Sequence, residues 1–148
     1  MIKGKVLIIL SKYYKEISEN LLKSAATFLE EKSILYDIVE VPGALEIPQV
    51  LNLQENMLND KTFFYRGYIV LGCVIKGETY HFEIVSNETN RCLMDLALKY
   101  SCPLGNGIIT SYNYEQALKR SFDKGNEAAS ACYKLMKIKY RDDSVDKN

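Results

Sequence analysis

Tyr68-Ile69-Val70-Leu71-Gly72-Cys73-Val74-Ile75 runs directly into Lys76-Gly77-Glu78-Thr79-Tyr80-His81, after which Phe82, Val85, Thr89, Cys92, Leu93 and Leu96 recur at helical spacing. An almost unbroken apolar run is the mark of a strand covered on both faces, and the later period of three and four is that of an amphipathic helix. The stretch therefore reads strand, glycine turn, helix. The same unit lies on its N-terminal side: Val6 to Leu10 is a continuous aliphatic run, followed by Ile17, Leu21, Leu22, Ala25 and Leu29 on one helical stripe. Leu35 to Val41 is a further strand, stopped by Pro42-Gly43, and Ile47-Pro48 opens a helix in whose first turn proline is tolerated. On the C-terminal side, Gly107 to Thr110 reads as a short fourth strand. Two helices are expected after it, near Tyr114 to Arg120 and Asn126 to Tyr140.

Strands alternating with helices through short loops predict an α/β fold: a three-layer αβα sandwich around a four-stranded parallel sheet. Residues 1–140 form one domain in this scheme, and the charged segment 141–148, which lacks apolar period, is a frayed tail. Lys61 to Arg66 is expected as a surface connection, with Phe63-Phe64-Tyr65 either packed or touching another subunit.

The chain has 148 residues, 47% of them apolar, enough to bury a core. Lys plus Arg and Asp plus Glu number 19 each, so no global field is available to hold nucleic acid or an anionic membrane. Any anion has to be bound locally. Cys73, Cys92, Cys102 and Cys132 show no CxxC spacing, which favours reduced, buried thiols over zinc or disulfides. The apolar run near Met1 is too short for a signal segment, no stretch approaches membrane-spanning length, and a cytoplasmic location is expected.

His81 is the only histidine. Imidazole can accept and return a proton near neutral pH, although a capping or core role is the plainer alternative. The Gly77-Glu78-Thr79 turn presents backbone N–H groups at a helix start, where an anion could sit. Together they point to a phosphorylated substrate. In an open parallel sheet, ligands bind beyond the carboxyl ends of the strands. The segments there are Ser11 to Tyr14, Pro42 to Glu46, Lys76 to His81 and Ser111 to Asn113. Tyr13 offers a ring for stacking, and Gly43 lets backbone amides approach a ligand closely. No GxxxxGK[ST] loop, GxGxxG fingerprint or nucleophile elbow is present.

Three ordered runs carry a family resemblance: Val41-Pro42-Gly43-Ala44-Leu45-Glu46-Ile47-Pro48, Gly72 through Glu83, and Thr110 through Arg120. They resemble those of 6,7-dimethyl-8-ribityllumazine synthase, with similarity from about Lys5 to Leu135. The resemblance implies a flavodoxin-like fold. It also implies condensation of 5-amino-6-(D-ribitylamino)uracil with 3,4-dihydroxy-2-butanone 4-phosphate, the penultimate step of riboflavin synthesis, without metal or organic cofactor. By the same resemblance, Tyr13 stacks on the pyrimidine, and Ala44, Leu45 and Glu46 hold the ribityl chain and ring. Cys73, Val74 and Ile75 read the uracil edge, Gly77, Glu78 and Thr79 grip the phosphate, His81 transfers protons and Arg120 pairs with the phosphate.

The chain departs from the family pattern at several positions. Asn106 stands where an aromatic ring is common beside the pyrimidine, Tyr14 replaces a common Asn, Lys12 a frequent Arg, and Phe122 to Glu127 is shortened. Self-association is implied as a pentamer or larger shell with sites between subunits, and riboflavin synthase as a further partner. The alternative is a non-catalytic flavin- or lumazine-binding protein of the same fold.

Overall fold

In a computed structural model that describes residues 4–57 and 65–141, four strands alternate with four helices. They run β1 (Lys5–Ser11), α1 (Lys15–Glu31), β2 (Leu35–Val41), α2 (Glu46–Asn56), β3 (Tyr65–Ile75), α3 (His81–Tyr100), β4 (Leu104–Ser111) and α4 (Tyr114–Lys139). The strands form one parallel sheet in the order β2-β1-β3-β4.

Side-chain alternation along the two central strands builds the layers. Val6, Ile8 and Leu10 of β1, with Ile69 and Leu71 of β3, pack against Leu21 and Ala25 of α1 and Ala128 and Cys132 of α4. Leu7, Ile9, Tyr68 and Val70 face the other way, onto Ile47 and Leu51 of α2 and Leu93 of α3. Each fully withdrawn aliphatic side chain contributes about 1.5–3 kcal/mol, so the continuous apolar runs of β1 and β3 hold both layers at once. The expected three-layer αβα sandwich is the observed one.

Two boundaries in the C-terminal half differ from expectation for reasons of packing. The fourth strand begins at Leu104 rather than Gly107, and pairs with β3 from Tyr68↔Leu104 to Ile75↔Ser111. Gly105 is the floor on which α4 lies, since a Cβ there would collide with the Ala128 carbonyl. The two expected C-terminal helices are one, α4. Gly125 does not break it, because the glycine is where α4 approaches α1 most closely: a Cβ would strike the Leu21 carbonyl oxygen and the Ser24 hydroxyl. Intrinsic propensity alone would make Gly125→Ala stabilising by up to about 1 kcal/mol. The clash with main chain reverses the sign, and a loss of about 1–3 kcal/mol in urea unfolding is expected. A gain would show that the two helices are not held this close.

Tyr65 and Arg66, expected in a connection, belong to β3, while 61–64 lie outside the described residues, as does the expected tail beyond Arg141. Tyr65 donates its hydroxyl to Asp37 Oδ2 at 2.9 Å. Burial and that carboxylate push its pKa up to about 12, so it stays a neutral tether between β3 and β2.

Candidate functional site

The chain leaves β1 toward β2, then crosses over to lay β3 on the other side of β1. Where successive connections part in this way, a crevice opens beyond the carboxyl ends of the strands. A cavity of about 330 Å³ lies there. Tyr13 and Tyr14 line it after β1, Gly43 to Glu46 after β2, Cys73 to Ile75 at the end of β3, then Gly77 and Thr79, and finally His81, Phe82 and Val85 of α3.

The ladder brings main-chain polar groups to this cavity. β1 pairs with β3 only as far as Leu10↔Leu71, whereas β3 continues beside β4 to Ile75. The β1-facing edge of Cys73, Val74 and Ile75 therefore lies beyond the last residue of β1, with its main-chain donors and acceptors turned to the crevice. Backbone groups demand partners, and a flat heterocycle with alternating donors and acceptors can supply them. Tyr13, 73% exposed, lines the same cavity.

The helix starts add positive partial charge. α2 opens at Glu46, just after the Gly43-Ala44-Leu45 turn, and α3 opens at His81, so both N-termini meet the cavity. Pro48 sits in the first turn of α2, where its missing N–H costs nothing. Thr79 Oγ1 accepts the His81 main-chain N–H at 3.4 Å, and a Cβ at Gly77 would meet open space. The His81 imidazole is exposed and forms no hydrogen bond with any described residue, so neither a core nor a side-chain capping role occupies it. Cys73 lines the cavity but is no nucleophile: burial pushes its thiol up to about 12.

Arg120 lies elsewhere. With Lys119, Asp123, Lys124 and Glu127 of α4, Gln116, and Ile108 to Tyr112 of β4 and its loop, it lines a second cavity of about 840 Å³. Lys124 is drawn toward Glu127 at 3.9 Å, while Arg120 makes no ion pair with a described residue. Asn106 lines neither cavity. Its amide donates to Asn90 Oδ1 at 2.8 Å and accepts the Ile108 N–H at 2.9 Å, on the same face of β4 as Ile108 and Thr110. Glu78 sits in the turn between Gly77 and Thr79, exposed and outside the lining.

Of the residues singled out from sequence, the structure thus brings together Tyr13, Ala44, Leu45, Glu46, Cys73, Val74, Ile75, Gly77, Thr79 and His81. Gly43, read from sequence as a turn that lets a ligand approach, lines the cavity too, as does Tyr14, which was placed in the segment after β1 but given no role; Phe82 and Val85 were read only as part of a helical stripe. Phe82 and Val85 did carry a signal, since they lie on the helical stripe directly after His81, whose first turn faces the crevice.

The 6,7-dimethyl-8-ribityllumazine synthase family matches residues 3–140 of the chain. Three relatives that carry that name illustrate the similarity. The protein of Bartonella bacilliformis is 45% identical over 144 residues, covering 95% of this chain and 93% of its own. That of Agrobacterium fabrum is 44% identical over 143 residues, covering 94% and 97%. That of Bartonella henselae is 46% identical over 143 residues, covering 94% and 90%.

Proposed function

The chain belongs to the 6,7-dimethyl-8-ribityllumazine synthase family, and from that premise we propose how its two cavities divide the reaction. The activity is condensation of 5-amino-6-(D-ribitylamino)uracil with 3,4-dihydroxy-2-butanone 4-phosphate, in riboflavin biosynthesis. The pyrimidine lies on Tyr13 with its polar edge against the open main chain of Cys73, Val74 and Ile75, and the ribityl chain runs along Ala44, Leu45 and Glu46. The phosphate of the second substrate sits at Gly77, Glu78 and Thr79, where the α3 N-terminus favours an anion. Arg120 is the matching cation, supplied by the second cavity of a neighbouring copy, with Asn106 beside the pyrimidine on the same β4 face. One amide hydrogen and one lone pair of Asn106 are engaged within the subunit, which fixes the face it turns to that neighbour.

The chemistry needs these groups and little more. The amine attacks the ketone and water leaves as the imine forms; phosphate departs with its bonding electrons; ring closure expels water again. Protons move at each step, and the His81 imidazole, without a hydrogen-bond partner among the described residues, lines the cavity where it can carry them. The observation that carries the proposal is the end of β3 beyond its last pair with β1, lining one cavity with Tyr13 and His81.

Self-association as a pentamer or larger assembly fits the surface. Leu53 of α2, Met57 just after it, and Met94 and Leu98 of α3 are between 58% and 73% exposed, apolar side chains that a neighbouring copy would cover. A cytoplasmic setting fits the four free cysteines. No helix among the described residues is long and apolar enough to cross a membrane. Riboflavin synthase, which would consume the product, is the partner we place beside the assembly.

Mixing the protein with both substrates is the test. Lumazine absorbance and fluorescence should rise with time in proportion to protein. Binding of lumazine without its formation would instead mark a carrier of the same fold. Tyr13→Ala should weaken pyrimidine binding by about tenfold, since stacking on an aromatic side chain is worth roughly 1–3 kcal/mol, and an unchanged affinity would place the ring elsewhere.

A further inference from the structure

We propose that Tyr14 is a specificity-determining residue of this site, its phenolic hydroxyl donating a hydrogen bond to an acceptor on the heterocycle that stacks on Tyr13. This rests on the assignment of the first cavity to the pyrimidine.

Tyr14 lines that cavity beside Cys73 and Ile75. Its ring is half-buried and packs against the α1/α4 side of the core. Two neighbouring rings fix its orientation: Tyr13, with centroids 4.9 Å apart and planes at 74°, and Tyr114, at 6.1 Å and 62°. Tyr114 is itself tethered, its hydroxyl donating to Glu16 Oε2 at 3.3 Å. The main chain is equally held, because the Tyr14 carbonyl accepts both the Ser18 N–H at 2.9 Å and the Ser18 hydroxyl at 2.7 Å. Little freedom remains in which to turn the phenol elsewhere.

Yet that hydroxyl has no hydrogen-bond partner among the described residues, whereas Tyr36, Tyr65, Tyr68, Tyr100 and Tyr114 each place theirs on a side-chain oxygen. A phenol drawn into a half-buried position normally finds a partner. Here the open direction is the cavity. Burial, then the neighbouring Cys73 and Tyr13, raise the pKa of the phenol, so it is a neutral donor at any physiological pH. Because Tyr13 and Tyr14 stand almost at right angles, a flat ligand cannot stack on both. Tyr13 supplies the face and Tyr14 the polar atom.

Tyr14→Phe keeps every ring contact and removes only the donor, which makes it the decisive variant. Steady-state kinetics with both substrates should show the KM for the pyrimidine raised about three- to tenfold, the ordinary loss for one neutral hydrogen bond. The KM for the phosphorylated ketone and the thermal midpoint should stay at wild-type values. Product affinity, followed by lumazine fluorescence, should fall by the same factor. A wild type that turns over while Tyr14→Phe matches it in pyrimidine KM and in product affinity would overturn the proposal alone. A wild type that forms no lumazine would overturn the assignment of the cavity, and this proposal with it.

Discussion

His81→Ala should lower kcat by about 10²- to 10⁴-fold at saturation with both substrates, and should leave measurable turnover. The size follows from what one proton carrier supplies. Holding amine and ketone in register can remove roughly 7–11 kcal/mol of barrier, and in the proposed assignment that contribution lies with Tyr13, the β3 edge and the phosphate subsite, none of which the substitution touches. Product affinity should be retained, because the imidazole makes no bond with a described residue whose loss would disturb the cavity. Stopped assays following lumazine absorbance separate the outcomes. Turnover equal to wild type would remove His81 from the chemistry, and complete loss with product binding intact would give the imidazole more to do than move protons.

Arg120→Ala should act on the other substrate. A guanidinium can meet phosphate oxygens through two parallel N–H donors, and charge-assisted bonds of this kind are worth about 1.5–3 kcal/mol, or roughly 10- to 150-fold in apparent affinity. The KM for the phosphorylated ketone should rise by that order, with the pyrimidine KM held. Arg120 is the choice among the cations of its cavity because it is not engaged by a described carboxylate, whereas Lys124 leans toward Glu127. Arg120→Lys should recover only part of the loss, since an ammonium has the charge without the planar fork. An unchanged ketone KM in Arg120→Ala would take the phosphate away from this residue.

The layers were legible because β1 and β3 are buried on both faces, and such strands advertise themselves as uninterrupted aliphatic runs. The first cavity was legible for a related reason: parallel strands deliver their following segments to one edge, so Tyr13, Gly43 to Glu46 and Gly77 to His81 had to converge. What failed was the meaning of glycine. Gly105, Gly107 and Gly125 look like punctuation along the chain, yet they are contact points between α4 and the rest, set by partners remote in sequence that no local window contains. Tyr14 was placed in the segment after β1 but its role was not legible there for a similar reason, since its orientation depends on Tyr114, a hundred residues away by sequence but adjacent in space. The relation of Arg120 to His81 was beyond any single-chain pattern, because the two residues line different cavities of one copy.

Mixing the two variants tests that separation directly. In a ring assembled from equal amounts of His81→Ala and Arg120→Ala chains, a site built between neighbours would regain both wild-type groups in about a quarter of cases. Sharing of the site predicts that co-refolded or co-expressed mixtures reach about a quarter of wild-type kcat/KM, far above either variant alone. Mixtures whose activity never exceeds the mean of the two separate variants, in assemblies verified to contain both chains, would contradict it.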